Sequence, residues 1–257
     1  AILILGFVNL IIYEKIIKNF KNKNINYITY FSLLVLIFIN IFFYRIGEHG
    51  TDKSAQILIF LLIIEILIFL ELSDLQPKIL SKIYLLIGLI ISLKAFYVLY
   101  SIIILVLFFE VIRKKNFFES LSFFLKNSFF IPLCIFFTLI ILSYFTNTGC
   151  LVYPVSFSCF ENFSWSISKL EVIEVNNWYE LWSKAGAGPN HRVENTLEYI
   201  SYFNWTSNWI DKYFFNKVSD FLLGVIFLIF FVTSFFYSSE KINVKFPKIK
   251  FLLFLLL

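Results

Sequence analysis

The sequence predicts an all-helical, polytopic transmembrane protein with one large external loop, on three observations. Long apolar stretches recur along the chain, one polar segment at 147–217 interrupts them, and basic residues gather in alternate connections. Hydrophobic residues make up 60% of the 257 and charged residues 15%, with a mean hydropathy of +0.83. A soluble domain has roughly 45–50% apolar and about 25% charged residues. Apolar runs of about 16–20 residues suit helices that cross a ~30 Å hydrocarbon layer.

Taken in order, spans are predicted at 1–13, 28–44, 55–72, 79–92, 95–112, 128–145, 221–237 and from 251 onward. The opening run reads as the remnant of a spanning helix rather than a signal peptide, since no basic region precedes it and no small-residue cleavage site follows. With apolar runs at both ends and no Met, the chain reads as a fragment of a longer protein. Lys15, Lys18, Lys21 and Lys23 lie in one connection, Lys78 and Lys82 in another, then Arg113, Lys114, Lys115 and Lys126, and finally Lys241, Lys245, Lys248 and Lys250. Cytoplasmic loops are enriched in Lys and Arg, so these connections are assigned inside. The short loop 45–54 and the segment 147–217 then fall outside. The domain reading is therefore transmembrane helices over 1–146, a large external (periplasmic) loop over 147–217, and further transmembrane helices over 218–257.

The run 79–112 is too long for one crossing, and a single crossing would put Arg113, Lys114 and Lys115 on the wrong side. Two short helices hinged near Lys94 satisfy both constraints. Phe117, Phe118, Leu121, Phe124 and Leu125 fall at helical spacing, which suits an interfacial helix on the cytoplasmic face or an extension of the next span. The net charge of +5 comes from loop lysines facing anionic lipid, which argues against a nucleic-acid partner.

Cys134 sits in a predicted span, where a buried small apolar role is expected. Cys150 and Cys159 stand at the start of the external loop. In an oxidising compartment a disulfide there would close a loop of about ten residues and stabilise it by about 2–3 kcal/mol. The alternative is two unpaired thiols. Neither neighbours a histidine and no CxxC occurs, so no metal site is predicted.

The loop containing Arg45, Glu48, His49, Asp52 and Lys53 is the densest polar cluster beside a predicted span. A carboxylate there can take a proton while cations hold an anionic leaving group. Glu48 and Asp52 are the candidate catalytic residues, and Arg45, Lys53 and Lys94 the candidate phosphate-binding ones. The alternative is an ordinary charged connection in which Asp52 caps the next helix. Glu65 lies inside a predicted span, where it must be protonated or paired. All five tryptophans, Trp165, Trp178, Trp182, Trp205 and Trp209, belong to the 147–217 segment. Their rings suit an interfacial belt or stacking on sugars. The belt is expected for Trp205 and Trp209, while Trp178 and Trp182 fall on an expected amphipathic helix. Trp165, Trp178, Trp182, His191 and Arg192 are the candidate sugar-binding residues, although His191 and Arg192 also read as an ordinary surface turn.

The stretches Arg-Ile-Gly-Glu-His-Gly-Thr-Asp at 45–52 and Gly-Cys-Leu-Val-Tyr-Pro at 149–154 resemble those of bacterial membrane proteins of surface-polysaccharide synthesis, of the broad GT-C class of glycosyltransferases. The resemblance covers about 28–237. It implies a protein of the bacterial cytoplasmic membrane that moves a sugar from a polyprenyl-phosphate carrier to a glycan acceptor. An acidic residue of an external loop would be Glu48 or Asp52, and the cations gripping the lipid phosphate Arg45 and Lys94. The class often pairs two acids one residue apart, whereas Glu48 and Asp52 are four apart, which leaves the identity of the base and any divalent metal open. A transporter or flippase for lipid-linked saccharides, or a polymerase or ligase relying on His191 and Arg192, is the competing expectation.

Overall fold

The computed structural model describes residues 1–22, 25–43, 52–72, 74–188 and 191–237. The fold is all-α, apart from a two-residue antiparallel ladder. The chain forms two compact units: Ala1–Cys134 with the segment from Phe227, and Ile135–Ile226.

The first unit opens with α1 (Ile2–Lys21), which buries Val8, Ile12 and Ile16, one side chain per turn along a single face. The helix does not stop at Tyr13, where the predicted span ends. No Gly or Pro interrupts it, and Lys15, expected in a cytoplasmic connection, forms an ion pair with Glu65. α2 (Tyr27–Phe42) starts at Asn26, whose side chain accepts from the Thr29 amide at 3.1 Å. It packs along α1 through paired amides, Asn9 donating to Asn40 at 3.0 Å and Asn40 donating back at 2.9 Å, and through Asn19 donating to Thr29 at 2.8 Å. α3 (Asp52–Glu71) is apolar around its circumference and buries most of its side chains, Ile57, Leu58, Ile59, Leu61 and Leu62 among them. That pattern marks a central helix.

α4 (Pro77–Leu93) begins with Pro77 in its first turn, where a missing N–H costs nothing. It stops at Lys94, whose backbone is extended at φ −156° and ψ 113°. A 3₁₀ helix (Ala95–Ser101) and α5 (Ile102–Ile112) follow, so the chain turns at the position where the sequence required a hinge. α6 (Phe117–Leu125) is a separate helix with its own reciprocal cap. Asn116 accepts from the Glu119 amide at 2.9 Å, and its amide donates to the Glu119 carboxylate at 3.0 Å. α7 (Phe130–Thr148) buries Leu133 alone of its side chains. Cys134 is exposed rather than buried as expected.

Polar contacts bring the lysine-bearing connections of this unit to one end. Asn26 donates to Glu71 at 2.9 Å, Lys114 donates to the Leu72 carbonyl at 2.8 Å, and Asn127 donates to the Pro77 carbonyl at 3.1 Å. The opposite end carries Asp52 and Lys94.

The second unit is built from short elements. Gly149, at φ 75°, ends α7 in a left-handed turn. A Cβ there would meet the Ser166 Cβ at 2.5 Å. Cys150 and Cys159 form a disulfide and pair their backbones across an antiparallel bridge. Around it Val172, Tyr153 and Ile167 pack into a small core. The Tyr153–Pro154 peptide is cis. α8 (Lys169–Ser183) is capped by Ser168, which accepts from the Glu171 amide at 3.2 Å. Strands β1 (Ala187–Gly188) and β2 (His191–Arg192) form the ladder, and α9 (Thr196–Ile200) follows. α10 (Thr206–Trp209), a π-helical stretch (Ile210–Val218) and α11 (Ser219–Tyr237) complete the described chain. Lys184 ties the middle of the unit, donating to the Glu180 carboxylate and to the Ile200 carbonyl, both at 2.6 Å. Asn208 donates to the Ala185 carbonyl at 3.1 Å and to the Tyr199 hydroxyl at 2.7 Å.

Candidate functional site

Two candidate sites follow from this arrangement, one in each unit. In the first, Lys94 Nζ stands 2.5 Å from Asp52 Oδ1, with the two side chains 43% and 51% exposed. The extended backbone at Lys94 lifts it out of α4, and Asp52 opens α3, so both stand at helix ends and remain open to solvent. A carboxylate in the first turn of α3 is also favoured by the helix dipole. The pair joins a candidate catalytic residue to a candidate phosphate-binding one. Lys53 follows Asp52 in α3. Arg45, Glu48 and His49 lie outside the described residues.

The second site is a groove of about 520 Å³ in the second unit. One wall is α8, which contributes Glu174, Val175, Asn177, Trp178 and Leu181; the other is formed by Arg192, Thr196, Leu197 and Ile200. Glu174 and Trp178 are four residues apart and Asn177 is three from Glu174, so all three share a face of α8. Trp178 is held edge-on by Trp182, with ring centroids 5.7 Å apart. An indole surrounded by a carboxylate, an amide, a guanidinium and a hydroxyl matches what a saccharide offers: an apolar ring face bordered by hydroxyl groups.

The structure therefore gathers Trp178 and Arg192, with Trp182 buttressing, and separates Trp165 from them. Trp165 stacks on Phe163 at 4.7 Å and donates to the Phe145 carbonyl at 3.4 Å. His191 occupies β2 beside Arg192 along the chain. Trp205 faces Trp209 at 6.3 Å, and the Lys184 ammonium lies 5.6 Å from the Trp205 ring centroid. Sequence reasoning missed Glu174 and Asn177, although their spacing from Trp178 on an amphipathic helix carries the signal. It also missed Thr196, Leu197 and Ile200, which approach only through tertiary folding. The Tyr153 phenol, packed by the disulfide, titrates above the ordinary 10.0 because of burial first, then the neighbouring Tyr179 and Glu171. Among the described residues no group of three His, Cys, Asp or Glu side chains is placed to hold a metal.

Fold and sites together define an all-helical protein with two described helices, Asp52–Glu71 and Phe130–Thr148, long and apolar enough to cross a membrane. A third joins them if 206–215 and 219–234 count as one bent span, and Tyr27–Phe42 and Tyr97–Ile112 are shorter apolar helices. The profile of a family described as Domain of unknown function (DUF8201) matches residues 1–257. The chain belongs to that family. Neither a curated protein nor a solved structure matches it.

Proposed function

We propose that this chain is a multi-pass protein of the bacterial cytoplasmic membrane that transfers a sugar from a polyprenyl-phosphate carrier to a glycan acceptor on the outer side. The Asp52–Lys94 ion pair carries the reading, because it sets a proton acceptor beside a phosphate-binding cation at the end opposite the lysine-bearing connections. The gathering of those connections at one end supports the orientation. In the proposed reaction the acceptor hydroxyl oxygen bonds to the anomeric carbon as the bond from that carbon to the phosphate oxygen breaks. The bonding electrons leave with the phosphate, and the hydroxyl proton passes to a carboxylate, Asp52 or Glu48. The arriving phosphate competes for Lys94 and so releases the Asp52 carboxylate for the acceptor. Arg45 and Lys53 are the further cations assigned to the phosphate.

The test is transfer of radiolabelled sugar from polyprenyl phosphate in membranes holding the full chain. Asp52→Asn and Lys94→Gln each abolish transfer at unchanged expression. The exchange Asp52→Lys with Lys94→Asp restores the ion pair but not transfer. Full transfer by Asp52→Asn refutes the assignment.

A second reading, a polymerase or ligase of lipid-linked saccharides, is favoured by the groove between Trp178 and Arg192. In that case Arg192→Gln abolishes product chain growth while Asp52→Asn leaves it intact.

A further inference from the structure

The lysine-bearing end of the first unit holds a pocket of about 360 Å³ that the glycosyl-transfer reading does not use. Lys115, Glu119, Ser122, Lys126 and Asn127 line it, together with Pro77 and Phe123. One wall is fixed. Asn127 is buried, donates to the Pro77 carbonyl at 3.1 Å and accepts from the Phe129 amide at 3.1 Å and the Ser81 hydroxyl at 3.2 Å.

The basic groups around it divide into two sets. Arg113 pairs with Glu110 at 2.7 Å, and Lys114 donates to the Leu72 carbonyl. Lys115 and Lys126 have no ion-pair partner among the described residues, and both line the pocket. The Glu119 carboxylate is engaged by the Asn116 amide at the start of α6, so the two ammonium groups outnumber the one anion facing them. On α6 itself Phe117 is 51% and Phe118 80% exposed, while Phe124 is buried. A short amphipathic helix with bare aromatic rings beside a cationic pocket is the arrangement that lies in a bilayer interface and takes a lipid headgroup.

We propose that this pocket binds the phosphodiester headgroup of an anionic phospholipid, Lys115 and Lys126 holding the phosphate while Phe117 and Phe118 of α6 enter the acyl boundary. The Glu119 carboxylate and the Ser122 hydroxyl are then placed to meet headgroup hydroxyls. The proposal rests on the membrane reading above but not on glycosyl transfer.

The test uses the full chain purified in a neutral detergent, with phosphatidylglycerol, phosphatidylcholine or soluble glycerol phosphate as probe. Thermal unfolding is followed by tryptophan fluorescence. Phosphatidylglycerol raises the midpoint by several degrees over phosphatidylcholine, Lys115→Gln with Lys126→Gln removes that difference, and Lys115→Arg with Lys126→Arg keeps it. Equal shifts with both lipids, an unchanged difference in the Gln variant, or a full shift with glycerol phosphate alone overturns the proposal. Carbonate extraction of native membranes separates the two readings: release of the chain refutes the membrane reading, whereas retention without a phosphatidylglycerol preference refutes the pocket alone.

Discussion

The two units are held together on different length scales. In the first, the polar contacts that fix helix to helix join residues far apart in the chain: Asn9 to Asn40, Asn26 to Glu71, Lys15 to Glu65 and Asn127 to Pro77. In the second, the staples are near neighbours. The disulfide spans nine positions, Ser158 donates to the Val152 carbonyl at 2.8 Å, and Lys184 reaches the Ile200 carbonyl. Long apolar helices satisfy their own backbones and need only a few cross-links to choose partners. The irregular segment has little regular hydrogen bonding, so side chains and a covalent bond must hold it turn by turn.

The sharpest way to break this contrast is to remove a long-range staple. Glu65→Leu leaves the Lys15 ammonium without its partner among apolar side chains, and the thermal stability of the purified chain is expected to fall by about 3–5 kcal/mol. Adding Lys15→Leu recovers most of the loss, and a double-mutant cycle measures the coupling. If the single and double variants unfold alike, the pair is not what joins α1 to α3.

Next in size comes the local staple. Cys150→Ser with Cys159→Ser is expected to cost about 2–3 kcal/mol. The effect is confined to the second unit and read as faster proteolysis within 147–217, with the helices of the first unit unaffected. Gly149→Ala follows, at more than about 1 kcal/mol, because φ 75° disfavours a side chain and the new methyl meets Ser166. Asp52→Asn should change thermal stability by less than about 1 kcal/mol, since the pair with Lys94 is half open to water. Under the proposed function the same substitution is expected to abolish transfer, and that split between stability and activity distinguishes a site from a structural bridge.

The smallest effect is one of pH. The Tyr153 phenol has a folded pKa raised above its unfolded value of 10.0. Its contribution to stability is therefore complete below about pH 10 and is lost as pH rises through the folded value. Alkaline titration of the intact chain should loosen the disulfide core, and Tyr153→Phe should remove that pH dependence.

The same difference in length scale decides how much of the molecule was legible in the sequence. The all-α class followed from apolar runs and the turn at Lys94 from the excess length of 79–112. The periodicity of 117–125 fits a separate α6 and an extension of the next span alike, and the Asn116 cap decides between them. Each rests on residues close in sequence. α1 runs past the predicted end at Tyr13 because Lys15, though a basic residue, marks no aqueous loop: its counterion is on another helix. Cys134 was expected inside on the strength of its apolar neighbours, but α7 turns most of those neighbours outward too. In the candidate groove, Trp178 was visible as an aromatic residue on an amphipathic helix. The turn before Arg192 is legible in the sequence, but the packing of Arg192 against α8 is a tertiary contact that no local pattern announces.

The Lys15–Glu65 pair also fixes an order of events during synthesis. The two residues are fifty positions apart, so the pair cannot form until α3 has been made. A chain that stops between residues 22 and 65 lacks the contact that ties α1 to α3.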